Sequence, residues 1–147
     1  MPRHLLIVDD DATVRTSLAE ALTDNGTTIV RVADGPHQAL ALLDDAAPDV
    51  VLSDVRMPDM DGIAFLKLLH ERAPSVDVIL MTAYDDMPTV VSAMREGAVE
   101  FLVKPLDLHQ LRRVLDGVFE DRRSRANAPR AKTGELTLGD LAGHDAR

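Results

Sequence analysis

Short apolar runs recur along the chain at Leu5 to Val8, Thr28 to Val32, Val50 to Leu52, Val76 to Met81 and Phe101 to Val103. Each is strand-sized and nearly continuous rather than alternating, the pattern of parallel strands covered on both faces. Helix-spaced stripes fall between them. The first carries Val14, Leu18, Ala21 and Leu22 after a cap at Asp11 or Thr13 and stops near Asn25-Gly26. The second holds Ala39, Leu40, Leu42 and Leu43 and ends before Pro48, and the third runs from about Gly62 through Phe65, Leu66, Leu68 and Leu69 to Pro74. A fourth covers about Met87 to Arg95, with Gly97 as its stop. A fifth follows Pro105, with Asp107 as cap and Leu108, Leu111, Val114, Leu115 and Val118 on one stripe. Five strands alternating with five helices imply right-handed crossovers and a three-layer α/β sandwich built on a doubly wound, five-stranded parallel sheet.

Past about Arg122 the apolar period is lost, so the pattern predicts a folded domain over 1–122 and a linker or disordered tail over 123–147. A length of 147 residues with 46% hydrophobic content suits one core. The net charge of -9 repels nucleic-acid phosphates and favours a protein partner. The Arg-rich stretch near the end is interrupted by acids and has no interleaved aromatics, so it reads as a solvated helix end without direct DNA contact. With no cysteine there is neither a disulfide framework nor a thiolate metal site. The opening apolar run is too short for a signal peptide or a membrane span, and a soluble cytoplasmic protein is expected. The five histidines, His4, His37, His70, His109 and His144, show no metal-ligand spacing.

In an open parallel sheet, ligand groups gather beyond the carboxyl ends of the strands. Asp9, Asp10 and Asp11 follow the first apolar run, Asp54 the third, Thr82 and Ala83 the fourth, and Lys104 the fifth. Carboxylates converging at one edge repel, which calls for a bound cation or raised pKa values. Oxygen-only ligation points to Mg²⁺, which keeps waters that a phosphate can displace. Lys104 supplies a mobile positive charge and Thr82 a hydroxyl donor. Phosphoryl transfer asks a protein mainly for positioning and charge neutralisation, and a carboxylate is a competent acceptor. Asp54, alone between Ser53 and the Met57-Pro58 turn, is the best-placed nucleophile. In the loop after the first strand Asp9 and Asp10 both turn toward the metal, one directly and one through water, and Asp10 is the first choice for the direct contact.

Other acids read as structural. Asp44-Asp45, Asp85-Asp86 and Glu120-Asp121 fit a solvated surface, and Asp59 and Asp61 fit the turn and cap before the third helix. Asp11 fits either a helix cap or added negative potential. Phe101 by itself is a core aromatic of the last strand.

Leu-Ile-Val-Asp-Asp-Asp at 6–11, Ser-Asp-Val-Arg-Met-Pro-Asp-Met-Asp-Gly at 53–62, Met-Thr-Ala-Tyr at 81–84 and Val-Lys-Pro-Leu at 103–106 together resemble the receiver domains of two-component response regulators, across about residues 4–120. The resemblance implies the flavodoxin-like (βα)5 fold with strand order 2-1-3-4-5. It implies that a sensor histidine kinase donates a phosphoryl group to Asp54, and that Asp9, Asp10, Asp54 and the Arg56 main-chain carbonyl serve Mg²⁺. Lys104, Thr82 and the Ala83 main-chain N–H are then the phosphoryl-binding groups, and Thr82 with Phe101 forms the switch that alters the face of helix 4, strand 5 and helix 5, a surface for pairing two copies. Such a domain catalyses only its own phosphorylation and dephosphorylation.

The stretches 82–89 and 97–105 resemble receivers of sigma-54-dependent transcriptional regulators, and 138–147 resembles the lead-in to their ATPase domain. No Walker motif is present. Arg56 and Tyr84 sit at variable positions of the family pattern, and their bulk predicts slow loss of the phosphoryl group. The alternatives are a stand-alone phosphorelay receiver, a degenerate receiver used only for docking, and an Asp-nucleophile phosphohydrolase. The hydrolase needs an acid two residues after the nucleophile, where this chain has Arg56.

Overall fold

The computed structural model describes residues 3–23, 28–83 and 86–127. Its elements run β1 (Arg3–Val8), α1 (Ala12–Leu22), β2 (Thr28–Ala33), α2 (Pro36–Asp45), β3 (Val50–Asp54), α3 (Gly62–Arg72), β4 (Asp77–Thr82), α4 (Met87–Arg95), β5 (Glu100–Val103) and α5 (Leu108–Asn127). The strands form one five-stranded sheet in the order β2-β1-β3-β4-β5, and every neighbouring pair is parallel. This is the doubly wound fold expected from the alternation of strand and helix patterns.

The continuous apolar runs are explained by the two faces of the sheet. Leu6, Val8, Val51, Val78 and Leu80 face the side covered by α2, α3 and α4, where Leu40, Phe65, Leu66, Leu69 and Ala93 close the layer. Leu5, Ile7, Val50, Leu52, Ile79 and Met81 face the other side, against Leu18 and Leu22 of α1 and Leu111, Leu115 and Phe119 of α5. Successive strand residues point to opposite faces, so a strand covered on both sides is apolar at most positions. Full burial of one such Leu or Phe stabilises the fold by about 1.5–3 kcal/mol.

Caps hold the helix starts in place. Asp11 accepts from the Thr13 and Val14 N–H groups at 2.8 and 3.3 Å, so it is the N-cap of α1. Asp61 accepts from the Ala64 N–H at 2.9 Å and Asp107 from the His109 N–H at 2.8 Å, satisfying donors that a helix start leaves open. Gly97 takes a φ of 109° beyond α4, a left-handed conformation that favours glycine.

The last helix departs from the sequence pattern. α5 continues to Asn127, past the expected end of the domain at Arg122. Ion pairs rather than apolar contacts carry the extension: Arg122 donates to the Ser75 carbonyl at 2.6 Å and approaches Asp49 and Asp77 at 3.5 and 3.3 Å, and Arg125 meets Asp77 at 2.6 Å. The lead-in motif at 138–147 lies outside the described residues. Among the described residues, no helix is long and apolar enough to cross a membrane.

Candidate functional site

Strand register brings the candidate residues to one edge. Val8 pairs with Ser53, Asp54 with Met81 and Thr82 with Val103, so Asp9, Asp54, Thr82 and Lys104 each stand at or just beyond the carboxyl end of adjacent strands. Asp9 is fully buried. Its Oδ1 accepts from the Asp11 N–H at 2.9 Å, and Arg15 donates to its main-chain carbonyl at 2.8 Å, which locks the β1–α1 turn. Asp54 is half-buried, and its Oδ1 accepts from the Arg56 N–H at 3.3 Å.

Lys104 Nζ bridges the two acids, at 3.2 Å from Asp9 Oδ2 and 3.1 Å from Asp54 Oδ2. One ammonium therefore faces two carboxylates, and the exposed Asp10 adds a third. One oxygen from each of Asp9, Asp10 and Asp54 falls within 4.8 Å of the others. The excess negative charge and the all-oxygen donor set fit a hard divalent cation. Burial pushes the Asp54 carboxyl above the ordinary carboxylate value, the charge and hydrogen bond of Lys104 offset part of this, and Asp9 adds to it. For Lys104, burial favours the neutral amine, but the charges and hydrogen bonds of Asp54 and Asp9 outweigh it and hold the ammonium above its usual value.

Thr82 is buried at the end of β4. Its hydroxyl donates to the Ala83 carbonyl at 3.2 Å, a weak partner at the long end of hydrogen-bond range. Ala83 is exposed beside it. Phe101 is half-buried against the layer that contains Leu80 and Ala93. Tyr84 and Asp85 lie outside the described residues.

Two features near the site had escaped the pattern of residues along the chain. Gly62 donates its N–H to the Val55 carbonyl at 2.9 Å, and a Cβ there would stand 2.8 Å from that oxygen and 2.9 Å from the Val55 Cα. Glycine thus lets α3 start directly against the residue after Asp54. The second is Asp86. Expected on a solvated surface, it is 7% exposed and meets Arg56 Nε at 3.1 Å. The hydrogen bond from Arg56 outweighs burial and, with help from Thr89, holds its carboxyl below the ordinary value. A doublet of acids gives no signal of this, because the partner lies thirty residues away.

A parallel sheet in the order β2-β1-β3-β4-β5, with buried and half-buried acids gathered around one lysine at its carboxyl edge, is a flavodoxin-like domain with an acidic site. Residues 5–116 match the model of the response regulator receiver domain, and the chain belongs to that family. It is 40% identical over 126 residues to the DNA-binding transcriptional regulator NtrC of Klebsiella pneumoniae, covering 84% of this chain and 27% of that protein. The structure of NtrX from Brucella abortus in complex with ADP superposes with a TM-score of 0.80 at 30% identity, over 86% of this chain and 29% of that one. A signal receiver domain of an HD domain-containing protein from Pseudomonas fluorescens Pf-5 gives 0.79 at 30% identity, over 84% and 99%. The chain spans less than a third of the length of the curated NtrC-type regulators it matches.

Proposed function

We propose that the chain is a phosphoacceptor switch, in which Asp54 takes a phosphoryl group from the phosphohistidine of a sensor kinase. The observation that carries this reading is the Lys104 ammonium held between Asp9 and Asp54 at 3.2 and 3.1 Å. An Asp54 oxygen attacks phosphorus, the P–N bond breaks, and the imidazole nitrogen keeps the electron pair and takes a proton. Lys104 then moves from holding a carboxylate to holding a phosphoryl oxygen, while the Thr82 hydroxyl and the Ala83 N–H supply further donors. Asp9, Asp10, Asp54 and the Arg56 carbonyl are the groups that would hold Mg²⁺, whose contribution when bound is neutralisation of the charge on acids and phosphoryl group.

Phosphorylation adds roughly 1.5–2 negative charges beside Thr82. Drawing the Thr82 hydroxyl away from the Ala83 carbonyl opens space into which half-buried Phe101 turns, and the α4/β5/α5 face changes with it. That face pairs two copies of the chain and controls a sigma-54-dependent transcriptional output carried elsewhere in the protein. The domain acts on no other substrate. Arg56 two residues after Asp54 leaves no acid to activate water for turnover, and its side chain, engaged with Asp86, shields the acyl phosphate, so its lifetime is longer than seconds.

The test is incubation with acetyl phosphate and Mg²⁺, followed by intact mass and hydroxylamine treatment. One phosphoryl group per chain, labile to hydroxylamine and lost in Asp54→Asn, is expected. Multiple turnovers on a generic phosphate ester would replace the switch with a hydrolase, and no labelling in Mg²⁺ would leave a docking module.

A further inference from the structure

Every polar group of Asp9 is engaged. Its N–H donates to the Ala33 carbonyl at 3.2 Å, its Oδ1 accepts from the Asp11 N–H and its Oδ2 from Lys104, and its carbonyl accepts from the Arg15 guanidinium at 2.8 Å. Asp10 is the opposite case. It is exposed, yet one of its oxygens falls within 4.8 Å of oxygens of Asp9 and Asp54. Among the described residues, neither Asp10 nor Arg15 has an ion-pair partner, and no hydrogen bond holds the Asp10 carboxylate. Its direction is therefore set by the backbone that carries it.

Arg15 is the side chain that pins that backbone. The Asp9 carbonyl and the Asp10 N–H belong to one planar peptide unit, so a donor that holds the carbonyl also sets the plane from which Asp10 departs. The donor is itself anchored: the Arg15 N–H bonds the Asp11 carbonyl at 3.0 Å, inside a helix whose start Asp11 caps, and the residue is half-buried. We propose that Arg15 is a positioning residue for the divalent cation, aiming the Asp10 carboxylate toward Asp54 through the Asp9 carbonyl. The inference rests on the reading of these acids as a Mg²⁺ site and adds the group that orients one of them. It also sets two cations apart. Lys104 donates to carboxylate oxygens of Asp9 and Asp54 and so competes with a metal, whereas Arg15 donates to a carbonyl and draws no carboxylate away. As a bare charge Arg15 would repel Mg²⁺, and its removal would tighten binding. As an orienting group its removal weakens binding, since outer partners of metal ligands are worth about 10–100-fold in affinity.

The test is Mg²⁺ titration of the full chain by calorimetry. Arg15→Met, which keeps the apolar stem, and Arg15→Ala, which suits a helix, should each weaken Mg²⁺ binding by about tenfold. In an Asp10→Asn background the same substitutions should change the affinity by less than about twofold, because the carboxylate to be aimed is gone. Mn²⁺ suits the same oxygen donors, and its effect on water relaxation reports binding too weak for calorimetry. Urea unfolding shows that each variant folds. Equal losses in both backgrounds would give Arg15 a general structural role, and unchanged or tighter binding would make it a spectator or a bare charge; each overturns the proposal. A parent chain that binds neither cation overturns the metal reading along with it. Acetyl phosphate labelling of Asp54 in the parent chain reports the phosphoacceptor reading separately from any of these outcomes.

Discussion

The Arg56 guanidinium meets the Asp86 carboxylate at 3.1 Å and so joins the loop after β3 to the N-cap of α4. Arg56 is also the residue whose N–H holds Asp54. One residue therefore touches the Asp54 carboxylate through its backbone and the N-cap of α4 through its side chain.

That pair sets a pH dependence. The folded state holds Asp86 below the ordinary carboxylate value, so its contribution is present above that ordinary value and is lost as pH falls through the folded one. Because Arg56 is largely exposed, solvent screening keeps the pair to about 1 kcal/mol or less. Asp86→Asn should lower the urea unfolding free energy by that amount at pH 7 and converge with the parent chain in strong acid. A gap that persists unchanged at low pH would assign the effect to packing instead.

Asp54 has the opposite sign. Burial raises its folded pKa, so the ionised carboxylate costs stability at neutral pH, and the cost disappears as pH falls toward the ordinary carboxylate range. Asp54→Asn removes the charge but keeps the shape. It should raise the metal-free unfolding free energy at pH 7, and the gain should shrink with acid. Equal or lower stability of the variant at pH 7 would contradict the burial argument.

Lys104→Ala separates metal binding from phosphoryl chemistry. The ammonium, at 3.2 and 3.1 Å from Asp9 and Asp54, competes with a cation for the same carboxylates, and like charges drawn to one pair of acids repel. Mg²⁺ affinity, measured by calorimetry, should tighten by about tenfold, while acetyl phosphate labelling slows by at least tenfold. Weaker Mg²⁺ binding would mean that Lys104 organises the acids rather than competing for them.

The fold and the main site were legible along the chain for one reason: both follow from what stands at the end of each apolar run. Asp9, Asp54, Thr82 and Lys104 could be found because strand ends in a parallel sheet share an edge. The lysine contact of Asp9 was not legible: Asp9 is buried and meets Lys104 because the first residue past β1 still lies against β2, where its N–H bonds the Ala33 carbonyl at 3.2 Å. Asp86 and Arg125 were illegible because their partners are set by tertiary placement, with no local period to show them.

Arg125 brings the domain boundary to a test. The apolar stripe ends near Val118 and Phe119, so a chain ending at residue 122 would keep every buried apolar contact of α5. It would lose the 2.6 Å contact of Arg125 with Asp77, a carboxylate whose side chain is 10% exposed. Arg122 at 3.3 Å would remain as its nearest cation, at a newly frayed helix end. Removing one partner of a mostly buried acid costs more than the pair is worth, because the acid keeps its desolvation penalty. Truncation after Arg122 should therefore lower the unfolding free energy by about 1–3 kcal/mol relative to truncation after Asn127. Asp77→Asn should remove most of the difference, since the neutral amide no longer needs the cation. Equal stability of the two truncated chains would return the boundary to Arg122 and make the last turn of α5 part of the linker.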